Sequence, residues 1–229
     1  MKTIGILGGL TWQSTLLYYR YLNEMVRDLR QGESSAEIVL RSIDFAPLDQ
    51  AQRKGDEETE KEILLQAAQS LVQAGADFWL MACNTTHRWA DYLQEQIDLP
   101  FLHIAESVAT ALDKEKIKRV ALTGTPYTME AEFYPRIFAK KGIDLILPEA
   151  VEIKRIEEII DLELSQGIIK EQSLQEFREM SCNWQEKGAE AVVLACTELG
   201  LLIKDDPNHL RVFDSLLIHC QDAVSLALA

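Results

Sequence analysis

One local pattern occurs twice and limits what this chain can fold into. An apolar run, Ala76-Asp77-Phe78-Trp79-Leu80, leads into Met81-Ala82-Cys83-Asn84-Thr85-Thr86-His87, and 113 residues later Val193-Leu194-Ala195-Cys196-Thr197-Glu198-Leu199 has the same grammar. Each reads as a buried strand ending in Ala-Cys, followed by hydroxyl or amide side chains of the kind that cap a helix. Two further landmarks recur in the same order. The strand and turn at Thr3 to Gly9 are matched by Lys118 to Thr128, offset by about 116 residues. Pro100 to Ala109 is matched by Val212 to Val224, a short strand feeding an Ala- and Leu-rich helix in each case. Three landmarks in one order imply duplication of a βα-rich unit.

Taken in order, Thr3 to Leu7 reads as a β-branched strand closed by the Gly8-Gly9 turn. Thr11 or Ser14 can cap the next helix, with Leu16, Leu17, Tyr19, Tyr21, Leu22, Met25, Val26 and Leu29 as its apolar face. Ala36 to Ile43 reads as a strand and Asp44-Phe45-Ala46-Pro47 as a loop. A polar helix over Asp56 to Val72 ends near Gly75, and the strand that follows delivers Cys83. In the second half, strands at Lys118 to Thr123, Gly142 to Leu147 and Ala191 to Ala195 alternate with helices at Met129 to Lys140, Glu152 to Leu164 and Leu174 to Lys187. Alternation without hairpin signals predicts an α/β protein of parallel sheets covered by helices on both faces. The expected division is 1–102 plus 210–229 for the first unit, carrying Cys83, and 103–209 for the second, carrying Cys196. Ligands of such sheets bind beyond the carboxyl ends of the strands, where both cysteines lie.

The 229 residues suffice for one large domain or two smaller ones, each able to bury a core. A formal charge of −14 argues against nucleic acid or an anionic membrane surface as partner. No apolar run approaches the roughly 20 residues that span a bilayer, and the N-terminus is too short for a signal peptide, so a cytoplasmic protein is expected. The four cysteines, Cys83, Cys182, Cys196 and Cys220, form no C-x-x-C pair. Free thiols are expected in a reducing compartment, and no metal site is expected. Cys182 and Cys220 read as small apolar fillers. His103, His209 and His219 read as structural or surface residues, and His87 as a packing residue or the partner in a helix-turn bond. Gly8-Gly9 does not make a dinucleotide fingerprint, since Trp12 and Gln13 follow.

A cysteine at a helix N-terminus meets unpaired N–H groups and the positive end of the macrodipole, both of which favour thiolate. Asn84, Thr85, Thr86 and Thr197 add donors that also suit a carboxylate. An amino acid held between two thiols can lose its α-proton to one and gain a proton from the other on the opposite face. The product is the mirror image, with no cofactor required. A redox pair forming a reversible disulfide is the rival reading of two such thiols.

At this point the residues resemble a known family. Cys83-Asn84-Thr85-Thr86-His87 and Ala195-Cys196-Thr197-Glu198-Leu199 are similar to the two signatures of the aspartate/glutamate racemases, and Gly8 to Thr15 and Asp44-Phe45-Ala46 resemble that family's N-terminal elements. The resemblance implies a cofactor-independent racemase with two similar domains related by a pseudo-twofold axis, an active site in the cleft between them, and homodimers. Leu7-Gly8-Gly9 in place of Asp-Ser-Gly, and Cys196-Thr197-Glu198 in place of Cys-Thr-His, favour the aspartate or broad amino-acid branch over glutamate racemases. The same resemblance implies that Cys196 serves the L-enantiomer and Cys83 the D-enantiomer. It also implies substrate contacts at Gly9, Leu10, Thr11, Asn84, Thr85, Thr86, Thr125, Thr197 and Glu198. Gln52 or Arg53, together with Lys170, stands roughly where the family binds the substrate's side-chain carboxylate.

Overall fold

Ile4–Gly8 (β1) is buried along its whole length, because it lies between two parallel neighbours and helices cover it. A strand in that position needs a continuous apolar run, not an alternating one, and its sequence IGILG supplies it. The computed structural model describes residues 1–206 and 208–229 and divides the chain into two units, Met1–His103 with His219–Ala229, and Ile104–Ile218.

In the first unit, Thr11 caps Trp12–Arg30 (α1) by accepting from the Ser14 N–H. Ile38–Ser42 (β2) is the half-exposed edge strand. Phe45–Lys54 (α2) and Glu57–Gln73 (α3) follow, capped by Asp44 and Asp56. Phe78–Met81 (β3) closes the parallel order β2-β1-β3, and Phe101 adds a single parallel bridge to Trp79. After β3 come a 3-10 turn, Thr85–Trp89, and a short helix, Ala90–Gln96 (α4). Trp79 and Met81 alternate onto the sheet face that packs on Leu64, Leu71 and Leu93, and Cys83 packs against the same cluster.

The second unit begins with Ile104–Lys114 (α5), Arg119–Gly124 (β4), Pro126–Met129 (α6) and Phe133–Ala139 (α7). It continues with Asp144–Ile146 (β5), Ala150–Leu162 (α8), a 3-10 turn at Leu164–Gln166 and Glu171–Glu186 (α9). Ala191–Ala195 (β6), Leu199–Leu202 (α10) and Arg211–Asp214 (β7) complete a four-stranded parallel sheet of order β5-β4-β6-β7. Period-two alternation sorts β6 onto two cores. Ala191, Val193 and Ala195 pack with Tyr134 and Phe138, whereas Val192, Leu194 and Cys196 pack with Phe177 and Trp184. The final helix, Ser215–Leu228 (α11), starts in the second unit, and its residues from His219 onward count with the first. There the Lys2 N–H donates to the Ala227 carbonyl at 2.8 Å.

The α/β class with two parallel sheets is as expected, but several local expectations change. The Asp44 to Pro47 loop is the capped first turn of α2, where proline is tolerated because that turn's N–H groups lack intrahelical partners. The single helix expected over Met129 to Lys140 is two pieces, α6 and α7. The second unit extends to Ile218, not 209, because β7 pairs in parallel with β6. On α1 the buried stripe is Ser14, Tyr18, Leu22 and Val26, so Leu16, Tyr19 and Leu29 of the expected apolar face are exposed.

Candidate active site

Both cysteines lie one step past the carboxyl end of a parallel strand, where the ladder stops and backbone groups become available for other partners. In the first unit the Ala82 N–H still donates to the Leu7 carbonyl at 2.9 Å, so the chain leaves the sheet at Cys83. Around that point side chains take over. The Ser14 hydroxyl donates to the Ala82 carbonyl at 2.6 Å, and His87 Nδ1–H donates to the Cys83 carbonyl at 2.7 Å. The Cys83 thiol is half-buried, and Asn84 and Thr86 are buried beside it.

The Gly8-Gly9 turn stands next to this strand end. Gly9 has φ of 76°, and a Cβ there would collide with the backbone of Ile43. Its N–H donates to Thr15 Oγ1 at 2.8 Å. Glycine is therefore required by backbone packing at this site, whatever it contacts on a substrate. Leu10 is a buried core residue, and Thr11 is the α1 cap.

Behind the Cys83 turn lies a buried group of rings. His87 stands 4.8 Å from His103 and 5.8 Å from His219, centroid to centroid. His219 accepts at Nδ1 from the Tyr18 hydroxyl at 2.8 Å and donates from Nε2 to the Leu102 carbonyl at 3.0 Å. Burial pushes the His219 pKa down to about 4, and burial, with His103 and His219 nearby, holds His87 well below the usual imidazole range. The His87 and His219 rings are thus neutral parts of the core. The expectation for His87 as a helix-turn bonding residue matches its bond to Cys83.

The far side of the turn is tied to α3. Glu60, buried, accepts from Arg88 Nη2 at 2.5 Å and from Trp89 Nε1 at 3.0 Å. This anchor spans 28 residues and left no local signal in the sequence.

The second unit places Cys196 against different chemistry. The Cys196 Sγ–H donates to Glu198 Oε2 at 3.1 Å, and Thr197 Oγ1–H donates to the same oxygen at 2.6 Å. All three side chains are buried. Gly124 pairs with Ala195 across the sheet, which sets Thr125 at the strand end beside Cys196. Thr125 and Thr128 share a hydroxyl bond of 3.1 Å. Gly200, on α10, passes so close to Asp214 that a Cβ there would collide with its carboxylate. Burial raises the Asp214 pKa, against the pull of the Leu217 and Leu216 N–H groups that it caps.

Neither cysteine heads a long helix. Cys83 precedes a five-residue 3-10 turn and Cys196 a four-residue helix, and neither Asn84 nor Glu198 makes a side-chain capping bond there. The macrodipole contribution expected at each thiol is correspondingly small.

The expected carboxylate-binding residues have different local settings. Arg53 has a side chain 74% exposed on α2, paired with Asp49 at 2.8 Å, while Gln52 is half-buried. Lys170 stands at the N-cap of α9, 3.4 Å from Glu163 Oε1. Burial opposes ionisation of Glu163, but Ser173 and Lys170, with the charge of Arg155, hold its pKa below the usual value. All four cysteines are free thiols. Cys220 is buried as expected, but Cys182 is exposed, because α9 buries the stripe Phe177, Met180, Ser181 and Trp184 instead.

Residues 7–223 match the Asp/Glu/hydantoin racemase family. The chain is 24% identical to the broad-specificity amino-acid racemase RacX of Bacillus subtilis, over 99% of this chain and 98% of that one. Among solved structures, a candidate Asp/Glu racemase from Yersinia pestis superimposes with a TM-score of 0.94 at 38% identity, covering all of both chains. An aspartate racemase homologue from Pyrococcus horikoshii OT3 gives 0.90 at 35% identity, again over the whole of both chains. With the family pattern running from the first strand into the last helix, the chain belongs to the Asp/Glu/hydantoin racemase family.

Proposed function

We propose that this protein racemises an amino acid, most favourably aspartate, by proton transfer between Cys83 and Cys196 without a cofactor. The observation that carries the reading is the placement of one free cysteine at the carboxyl end of β3 and another at that of β6, in a chain of this family. In this mechanism one thiolate removes the Cα proton, and the electron pair passes into the substrate carboxylate as an enolate. The opposing thiol then delivers its proton to the other face of Cα. The first cysteine ends as thiol and the second as thiolate, so atoms and charge balance. Cys196 acts on the L-enantiomer and Cys83 on the D-enantiomer.

Glu198 fits a defined role in this scheme. Its carboxylate accepts from both Cys196 and Thr197, so Cys196 rests as a thiol whose proton is directed at a base. Donors at Asn84, Thr85, Thr86 and Thr125 suit the substrate carboxylate, which gains charge in the enolate. Lys170, ion-paired with Glu163, is the cation assigned to an acidic side chain, with Gln52 favoured over the exposed Arg53 as its companion.

Aspartate is supported by the likeness to the Pyrococcus protein, and a broad amino-acid range by the full-length match to RacX. Incubating the protein with L- and D-aspartate, glutamate and neutral amino acids in deuterium oxide, without cofactor, decides between them. Chiral chromatography reads inversion, and deuterium at Cα of the product reads proton exchange. Absence of both with every substrate would overturn the racemase reading.

Assembly as a homodimer in the cytoplasm belongs to the same proposal. On α1, Trp12, Leu16 and Tyr19 are exposed on one face and provide surface of the kind a second copy covers. Sedimentation of the wild type and of Leu16→Glu reads this directly, with a monomer expected for the variant.

A further inference from the structure

We infer that Ser14 and His87 are positioning residues for the Cys83 thiol, each holding one of the two backbone carbonyls that bracket it. The Ala82 carbonyl belongs to the peptide entering Cys83 and the Cys83 carbonyl to the peptide leaving it. Ser14 takes the first at 2.6 Å and His87 the second at 2.7 Å.

Both donors are buried, at 3% and 1% exposure, and come from different parts of the chain. Ser14 lies in the first turn of α1, 68 residues from its acceptor, whereas His87 lies in the turn that Cys83 itself begins. A bond to a peptide carbonyl does two things. It fixes the orientation of that peptide's dipole, and it polarises the unit so that its N–H becomes a stronger donor. Two fixed peptides on either side of Cys83 give the sulfur a preorganised electrostatic setting, and carbonyl charge that would oppose a thiolate is drawn into bonds. His87 can serve as a constant donor, because its ring is enclosed by His103, His219 and Phe101 and remains neutral.

At the second turn the Cys196 carbonyl accepts from the Leu199 backbone N–H at 3.2 Å. Cys196 has its sulfur bonded to Glu198. The fold thus prepares the two sulfurs by different means, one through the peptides around it and one through a carboxylate.

This inference rests on the reading of Cys83 as a proton-transfer group, and the test keeps the two apart. Iodoacetamide labelling of Cys83 as a function of pH, read by peptide mass spectrometry, needs no substrate. Ser14→Ala and His87→Phe each remove a donor and keep the local bulk. Each is expected to move the labelling midpoint up by about half to one pH unit, the size of one neutral hydrogen bond. Racemisation should show kcat down about tenfold with KM within about twofold, the pattern for an interaction made mainly in the transition state. Ser14→Thr and His87→Asn, which restore a donor, should return both readouts towards the wild type. Circular dichroism checks folding, and if His87→Phe does not fold, the Ser14→Ala and Ser14→Thr pair decides alone. A folded Ser14→Ala protein with an unmoved midpoint would overturn the clamp. A shifted midpoint in a protein that racemises no amino acid would sustain the clamp and sink the racemase reading.

Discussion

The two cysteine turns stand at equivalent strand ends, yet each is built from different materials. Cys83 follows β3 and is half-buried, with Ser14 and His87 bonded to the carbonyls on either side of it and Glu60 anchoring the far end of its turn. Cys196 follows β6 and is buried, with its own thiol bonded to Glu198 and Thr197 bonded to the same oxygen. The matched strand orders explain the placement, because strand ends are set by the sheet. They do not explain the chemistry, which depends on what packs beneath each turn. Under Cys83 lie aromatic and imidazole rings, and beside Cys196 lies a carboxylate. The two-base reaction proposed for this chain would tolerate this asymmetry, since in it each sulfur needs only to exchange a proton with Cα at a matched energy.

The largest test removes the sulfurs. Cys83→Ser and Cys196→Ser should each lower kcat/KM by about 10³-fold, as expected for loss of an acid–base group. Full activity in the double variant would end the comparison altogether. Next comes acid. The His219 pKa falls from 6.5 to about 4 on folding, so the folded first unit binds fewer protons than the unfolded chain in that window. Its contribution to stability is complete above pH 6.5 and is lost as pH falls towards 4, at most roughly 3 kcal/mol. Urea denaturation at pH 7 and pH 4.5 should show the loss, and His219→Gln should flatten it.

Glu198→Gln probes the second turn. It should lower kcat/KM by about 10- to 100-fold, within the range for removal of a charged hydrogen-bond partner. The fall must be equal in both directions, because enantiomers in water have equal free energies. Labelling at Cys83 should be unaffected, and a change there would show that the two turns are coupled. Gly200→Ala, which presses a methyl group on Asp214, should cost about 1–3 kcal/mol in the second unit, read from its thermal midpoint. The smallest effect belongs to Arg53→Ala. Its exposed pair with Asp49 contributes about 0–1 kcal/mol, and KM for aspartate should stay within about twofold.

The sequence by itself determined the parallel α/β class, the repeated strand-to-cysteine pattern, and the position of each cysteine past a strand. Those features depend on short-range periodicity and on turns, as in the all-apolar run of β6 and the Gly8-Gly9 turn. Local chemistry also narrowed the α1 cap to Thr11 or Ser14, of which Thr11 serves, since a cap acts within three residues. Only the tertiary structure decided which helices have long dipoles, that Arg53 faces outward, and that β7 belongs with the second unit. It alone joined Ser14 to Ala82, and Glu60 to Arg88 and Trp89, across long stretches of chain. The reason is physical: a buried carbonyl or carboxylate must find a partner, and packing, not sequence distance, determines which donor is within reach.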